Sequence, residues 1–317
     1  MPAPDGSAPV FVLTAARSGS TLLRFILDAH PALSCPPETG VGAACAELAR
    51  VWSVTEGVPG AGVLPLLGPQ QVTGHAAEAI RAAITAAFAP YLAERGATRW
   101  CDKSLDTVMW ADLVARIWPD AQFICLYRHC MDMIASGLEA CRWGLDNFGF
   151  ERYTAGYPGN SVAAAGACWA ATVGQMIDFE KRHQDRGLRV RYEDLVADPE
   201  GVSARVFNFL NLPEVPGIGD TCFTAAHDAN GPGDAKIWFT TGVSAGSVGR
   251  GGEVPGDRLP PPLRAAINHA LRELGYVEVG EDWNAGQTRT SLLTATRPAA
   301  VLHDGLQDGL QDGLQDG

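Results

Sequence analysis

Short apolar runs alternate along this chain with longer stretches in which apolar residues recur every three or four positions. The runs Val10–Leu13, Gln122–Tyr127 and Leu188–Tyr192 read as buried strands, and Trp100–Lys103 as a short strand or strand end. Helical periodicity covers Thr21–Ala29, Ala76–Glu94, Leu105–Trp118, the segment after Arg128 to about Ala140, Ala163–Arg182, Glu200–Leu210 and Pro262–Leu274, with a shorter helical stretch at Glu47–Trp52. His30-Pro31, Pro119-Asp120 and Gly275 stop the helices that precede them. Pro36-Pro37-Glu38 forms a rigid turn that presents a carboxylate. Gly57–Gly68 reads as a loop or lid, Gly144–Gly159 as a loop rich in aromatic residues, and Ala226–Gly256 as irregular and glycine-rich. Strands alternating with helices need crossover connections, which predicts an α/β domain with a central parallel sheet flanked by helices. Ligands of such sheets bind outside the carboxyl ends of the strands. Arg17, Arg128 and Tyr192 lie at those ends and are expected to converge.

Composition narrows the function classes. The 317 residues allow one large α/β domain or two small ones, with 46% hydrophobic and 19% charged residues. A formal net charge of -12 argues against non-specific nucleic-acid or membrane-surface binding, so any anion site must be a local basic cluster. Met1–Ala8 has neither a basic segment nor a long apolar one, and no apolar run reaches membrane-spanning length, so a cytoplasmic protein is expected. The eight cysteines are dispersed without Cys-x-x-Cys pairs and read as reduced, mostly buried thiols. The histidines form no metal-ligand pattern. From Asp304 to Gly317 the unit Asp-Gly-Leu-Gln repeats, a pattern that matches no packed element and reads as a disordered tail.

The chemistry concentrates after the first strand. Arg17-Ser18-Gly19-Ser20-Thr21 lies between a strand and a helix, the layout in which backbone N–H groups and a helix N-terminus face a phosphate-like anion. The loop departs from the Walker A pattern: Thr14 and Ser20 stand where its first Gly and its Lys would be. At the end of Gln122–Tyr127, where magnesium-dependent phosphotransferases place an acidic residue, this chain has Arg128. A cation there suits a second anion. Ser136, eight residues on, is about two helical turns along and can share Arg128's side of the site.

These residues together resemble the 3′-phosphoadenosine-5′-phosphosulfate (PAPS) dependent sulfotransferases. The Arg-Ser-Gly-Ser-Thr loop resembles their 5′-phosphosulfate loop, Arg128 through Ser136 their 3′-phosphate motif, and Arg191-Tyr192-Glu193-Asp194-Leu195 with Asp198-Pro199-Glu200 a further segment. The order Arg17 to Arg24, Leu27-Asp28-Ala29-His30-Pro31, Glu38-Thr39, Cys101-Asp102-Lys103 and Pro119-Asp120-Ala121 is closest to the tyrosylprotein type and the bacterial carrier and natural-product types. The resemblance spans about Val10 to Tyr276. It implies a three-layer P-loop-like fold over residues 9–285, preceded by a flexible 1–8 and followed by an extension, 286–317.

It also implies metal-free transfer of a sulfonate from PAPS to a hydroxyl of a small-molecule or carrier-bound acceptor. Arg17 and Lys103 would then act on the transferring group, and Glu38, 21 residues after Arg17, as the general base. Ser18, Gly19, Ser20 and Thr21 would hold the phosphosulfate, and Arg128 and Ser136 the 3′-phosphate. Tyr192 would stand on the nucleotide's 3′ side, although as a residue it reads equally as core. Lys236, Ser247 and Arg250 stand where family members close a basic segment over the cofactor; the usual Gly-Asp-Trp-Lys form is absent, and Ser247-Val248-Gly249-Arg250-Gly251-Gly252 is the best match. His30 is the alternative base, read as structural in its His-Pro helix stop. Cys35 and Cys101 are expected to be neighbours and free. Trp143, Phe148, Phe150, Tyr153 and Tyr157 could line an acceptor pocket or anchor a loop. The rival functions are a nucleotide or metabolite kinase on the same fold and a non-catalytic nucleotide-binding module.

Overall fold

The computed structural model describes residues 8–57, 72–141, 148–228 and 235–283, with the side chains of 235 and 236 excepted. The expected N-terminal arm, most of the Gly57–Gly68 loop, Trp143, the side chain of Lys236 and the C-terminal repeat lie outside these residues.

Five parallel strands form one sheet in the order β2-β3-β1-β4-β5. They are β1 (Val10–Thr14), β2 (Leu33–Ser34), β3 (Arg99–Asp102), β4 (Gln122–Tyr127) and β5 (Gly187–Arg191). β1 is central, paired in parallel with β3 on one side and β4 on the other. Strand residues alternate between two buried faces, because successive side chains in a strand point opposite ways. Phe11, Leu13, Phe123, Cys125 and Tyr127 face one core, and Val10, Val12, Ile124, Leu126 and Val190 the other. Burial on both sides explains why β1 and β4 read as continuous apolar runs.

On the second face lie α1 (Ser20–Asp28) and α9 (Pro199–Phe209), with α8 (Tyr192–Ala197) leaving β5 directly. The first face is covered by α2 (Val41–Thr55), α3 (Gly74–Arg95), α4 (Ala111–Ile117), α5 (Cys130–Ala140), α7 (Ser161–Arg182) and α11 (Pro261–Glu273). The result is the expected α/β architecture of three layers. Phe11 anchors the first-face core with Trp100 edge-on at 5.4 Å and Phe123 stacked at 5.5 Å.

Several elements differ from the sequence reading. The stretch Glu47–Trp52 is part of a longer helix, α2, because Val41, Cys45, Ala46 and Ala49 provide its buried stripe. The single helix expected over Leu105–Trp118 is broken: a 3-10 helix covers Leu105–Trp110 and α4 restarts at Ala111. The tighter segment packs closely against α2, where a Cβ on Gly42 would stand 3.0–3.1 Å from Trp110 and Thr107. The loop after 144 contains a short helix, α6 (Glu151–Thr154), and the irregular segment 235–258 is built from 3-10 turns. A four-residue helix, α10 (Ile218–Thr221), precedes it.

Candidate active site

Every strand delivers its next residues to one edge of the sheet. β1 ends at Thr14 and the chain turns through residues 15–19 into α1. Arg17 has φ of 60° and Gly19 φ of 87°, so this turn needs two left-handed residues within three positions. Gly19 has a second reason to be glycine. A Cβ there would come within 2.2 Å of the Tyr192 ring. Gly19 caps α1 without a side chain, and no acidic residue stands in the helix's first turn, which leaves the positive end of its dipole unopposed from within.

The Tyr127–Arg191 register sets Arg128 beside Tyr192. The Arg128 guanidinium lies 4.6 Å from the Tyr192 ring centroid, a cation–π contact. Its Nη1 donates to the Arg17 carbonyl at 2.9 Å and its Nη2 to the Ser247 carbonyl at 2.8 Å. Arg128 is 4% exposed, and its buried Nε has no hydrogen-bond partner. Trp169 fixes the same residue from behind by donating from Nε1 to the Arg128 carbonyl at 3.0 Å. Arg17 donates from Nε to Ser136 Oγ at 3.3 Å and stands 5.3 Å from the Phe148 ring centroid.

A cavity of about 250 Å³ opens here, lined by Arg17, Gly19, Ser20, Thr21, Arg128, Ser136, Tyr192, Ser247 and Arg250 among others. Among the described residues, three arginines and no carboxylate line its wall. Its apolar side comes from Leu22, Phe223, Ile237 and Val243. The fold therefore brings together nearly all the residues expected to bind a cofactor. Tyr192, read as either core or ligand contact, is 7% exposed and forms part of the cavity wall. Ser18 is not among the lining residues; it is fully buried, with Oγ lacking a hydrogen-bond partner.

Glu38 and Lys103 also stand outside that lining and form a unit of their own. Lys103 Nζ donates to Glu38 Oε1 at 2.8 Å, with the lysine 1% and the glutamate 21% exposed. The pair is held by residues to which sequence reasoning assigned no role: Asp102 and Thr39 stand only as parts of motifs, and Ser104 and Thr107 in none. Asp102, fully buried at the end of β3, accepts hydrogen bonds from Thr39 Oγ1 (2.6 Å), Ser104 Oγ (2.7 Å) and Thr107 Oγ1 (2.7 Å). Ser104 Oγ in turn accepts the N–H groups of Thr39 (2.9 Å) and Gly40 (3.0 Å). The turn that carries Glu38 is thereby fastened to the strand that carries Lys103. Asp106, close by, is held above the ordinary carboxylate range by burial first, then by the charges of Asp102 and Glu38.

The segment 247–252 is docked on α5. Asp132 accepts Gly249 N–H at 2.8 Å and Gly251 N–H at 2.6 Å. A Cβ on Gly251 would lie 2.4 Å from the Met131 carbonyl carbon, so this backbone lies directly on the helix. Arg250 Nη1 pairs with Glu139 Oε2 at 2.8 Å. Asp132 and Glu139 were legible only as acidic positions at four- and three-residue offsets from Ser136.

The remaining candidates separate cleanly. His30 is buried, accepts Ala32 N–H on Nδ1 (3.1 Å), and holds the Pro213 carbonyl with Nε2 (3.1 Å); burial pushes its pKa down. These contacts tie up both ring nitrogens in the fold. Phe150 is fully buried and packs on Gly137, while Phe148, Tyr153 and Tyr157 are partly buried against the same core, which fits the loop-anchoring reading. All eight cysteines are thiols; Cys35 and Cys101 are buried, and their thiols are close enough to hydrogen-bond. Among the described residues, no cluster of His, Cys, Asp and Glu is arranged to hold a metal, and no helix is long and apolar enough to cross a membrane.

Comparison with known proteins agrees with this geometry. Residues 9–216 match the model of the Sulfotransferase family. Protein-tyrosine sulfotransferase A of Caenorhabditis elegans is 27% identical over 207 residues, which is 64% of this chain and 50% of that protein. This chain thus spans half the length of that relative. The sulfotransferase domain from the curacin biosynthetic pathway superposes with a TM-score of 0.58 at 20% identity, covering 86% of this chain and 99% of the domain. The sulfotransferase domain of the Synechococcus PCC 7002 olefin synthase superposes with 0.57 at 23% identity, covering 86% and 98%. These two likenesses show a shared P-loop-like fold.

Proposed function

The chain belongs to the sulfotransferase family, and from that premise we propose that it moves a sulfonate from PAPS to a hydroxyl of a small-molecule or carrier-bound acceptor. The observation that carries this reading is the cavity at the sheet edge. Arg17, Arg128 and Arg250 line it, with no carboxylate among the described lining residues, beside the glycine-capped start of α1. Such a wall suits a ligand with anions at two ends. The unpartnered Nε of Arg128, a residue of the cavity wall, is a buried polar atom left for a ligand to satisfy.

In this reading PAPS supplies an activated sulfonate and leaves as 3′,5′-adenosine bisphosphate. Arg17 and the 18–21 loop hold the sulfonate end, and Arg128, Ser136, Ser247 and Arg250 the 3′-phosphate end. Tyr192 and the apolar wall of Phe223, Ile237 and Val243 suit the nucleoside between them. Glu38 takes the acceptor's proton. Lys103, 2.8 Å away, keeps that carboxylate oriented and brings positive charge toward the group being transferred. The net charge of -12 weighs against a polyanionic acceptor.

Calorimetric titration with 3′,5′-adenosine bisphosphate, with and without chelator, tests the donor. Binding that is indifferent to chelator is expected; no binding, or phosphoryl transfer from ATP with magnesium exceeding sulfonate transfer, would overturn the proposal. Transfer of labelled sulfonate to phenols and 3-hydroxyacyl thioesters tests the acceptor and the base. Glu38→Gln is expected to lose turnover, typically a hundredfold or more for a general base (~10²–10⁴), while retaining bisphosphate affinity. A near-wild-type rate removes Glu38 as base.

A further inference from the structure

Helix α5 carries Asp132, Ser136 and Glu139 at spacings of four and three residues, which puts them on one stripe. Each engages a different part of the cavity. Asp132 holds the backbone of Gly249 and Gly251. Ser136 takes the Arg17 Nε–H, and Glu139 takes the Arg250 guanidinium at 2.8 Å. The first of these contacts is fixed in both partners, because Gly251 lies against the α5 backbone with no room for a Cβ. The last joins two long side chains at the rim, 31% and 38% exposed. Arg250 lines the cavity and Glu139 does not. A carboxylate oxygen on Arg250 Nη1 occupies a donor that a ligand oxygen would otherwise take.

We propose that Glu139 is a built-in competitor for the anion that enters this cavity. It keeps Arg250 engaged when no anion is there, is displaced by the incoming phosphate, and recaptures the guanidinium as the nucleotide product departs. Its effect is to weaken product retention, and product release limits turnover in many enzymes. The inference rests on the reading of the cavity as the anion site of the donor. The opposite role, Glu139 as a strut that aims Arg250 at the ligand, predicts the opposite sign.

The decisive variant is Glu139→Gln, which keeps the side chain's shape and removes its charge. Titration with 3′,5′-adenosine bisphosphate, and separately with inorganic phosphate, is compared at about 50 mM and 500 mM salt. The expected result is roughly two- to fivefold tighter binding at low salt, the scale of a half-exposed pair, shrinking at high salt. Stopped-flow release of the bisphosphate should slow by a similar factor. In an Arg250→Ala background the same substitution should lose most of its effect, because the competed group is gone. Unchanged or weaker binding in the single variant overturns the proposal, as does a full gain in the Arg250→Ala background. If phosphate but not bisphosphate binds, with the gain intact, the donor reading fails and this inference stands. If the wild-type protein binds neither, both fall.

Discussion

Replacing Gly19 by alanine tests the geometry on which the cavity depends. The residue has φ of 87°, and left-handed backbone costs an L-residue about 1–2 kcal/mol. The added Cβ would also lie 2.2 Å and 2.5 Å from Cδ2 and Cε2 of Tyr192. That ring cannot step aside cheaply. It is 7% exposed, leaves β5 directly at the start of α8, and lies under the Arg128 guanidinium at 4.6 Å. Overpacking of this kind costs about 1–3 kcal/mol. The two effects together predict a loss of about 2–5 kcal/mol, or roughly 4–20 °C in melting temperature at about 2–4 °C per kcal/mol. Moving Tyr192 also moves Arg128, so affinity for 3′,5′-adenosine bisphosphate should fall with stability. Differential scanning calorimetry and titration on the same preparations measure both. Gly19→Ala/Tyr192→Ala separates the contributions, since it removes the overlap and keeps the backbone cost; it should lose less than the sum of the singles. A Gly19→Ala protein that melts within a degree of wild type and binds the nucleotide normally would refute the reasoning.

Three further outcomes are expected. Arg128→Ala removes a buried guanidinium that also bonds the carbonyls of Arg17 and Ser247; bisphosphate affinity should drop by roughly 10- to 150-fold, equivalent to about 1.5–3 kcal/mol, and unchanged titration curves would contradict the assignment. Asp106 has its carboxyl pKa raised, chiefly by burial, so the folded state holds its proton more tightly than the unfolded chain, and its charge destabilises the fold as pH climbs from about 3.9 through the raised value. Asp106→Asn should therefore raise the melting temperature at pH 7 and lose that advantage below about pH 4, where both residues are neutral; an equal effect at both pH values would dispose of the linkage. Thiol titration with a disulfide reagent should find Cys168 first, because it is partly exposed while the other seven are buried, and slowly, because burial pushes its thiol up to about 11; prompt reaction of several thiols in the native protein would contradict that packing.

The sheet and the anion loop were legible because their signals are local. A strand buried on both faces is a continuous apolar run, and β1 and β4 each show one, while β5 alternates leucine and valine with arginine. β2 has only two residues, too few to carry a period. The break in Leu105–Trp118 has no glycine or proline to announce it; it follows from close packing of Thr107 and Trp110 on α2. In the site, residues at strand ends were found, because topology alone brings Arg17, Arg128 and Tyr192 together. The residues that hold them were not. Asp132 reaches Gly251 across 119 positions, and Thr39 reaches Asp102 across 63. A serine, a threonine or an aspartate that serves another segment's backbone looks in sequence like any polar residue. Arg128 shows the same limit from the other side: its charge was legible, but not that two of its N–H groups brace the cavity's own loops.

Ser104 follows Lys103 directly, and its hydroxyl bonds the turn that carries Glu38, a setting that invites comparison with an activated nucleophile. Its bonding says otherwise. The hydroxyl proton goes to Asp102, and both lone pairs receive amide hydrogens, from Thr39 and Gly40. No electron pair is left on that oxygen to attack a donor. A double-displacement route through a seryl sulfate is closed at this position, and for the direct transfer proposed above initial-rate plots against the two substrates should intersect rather than run parallel.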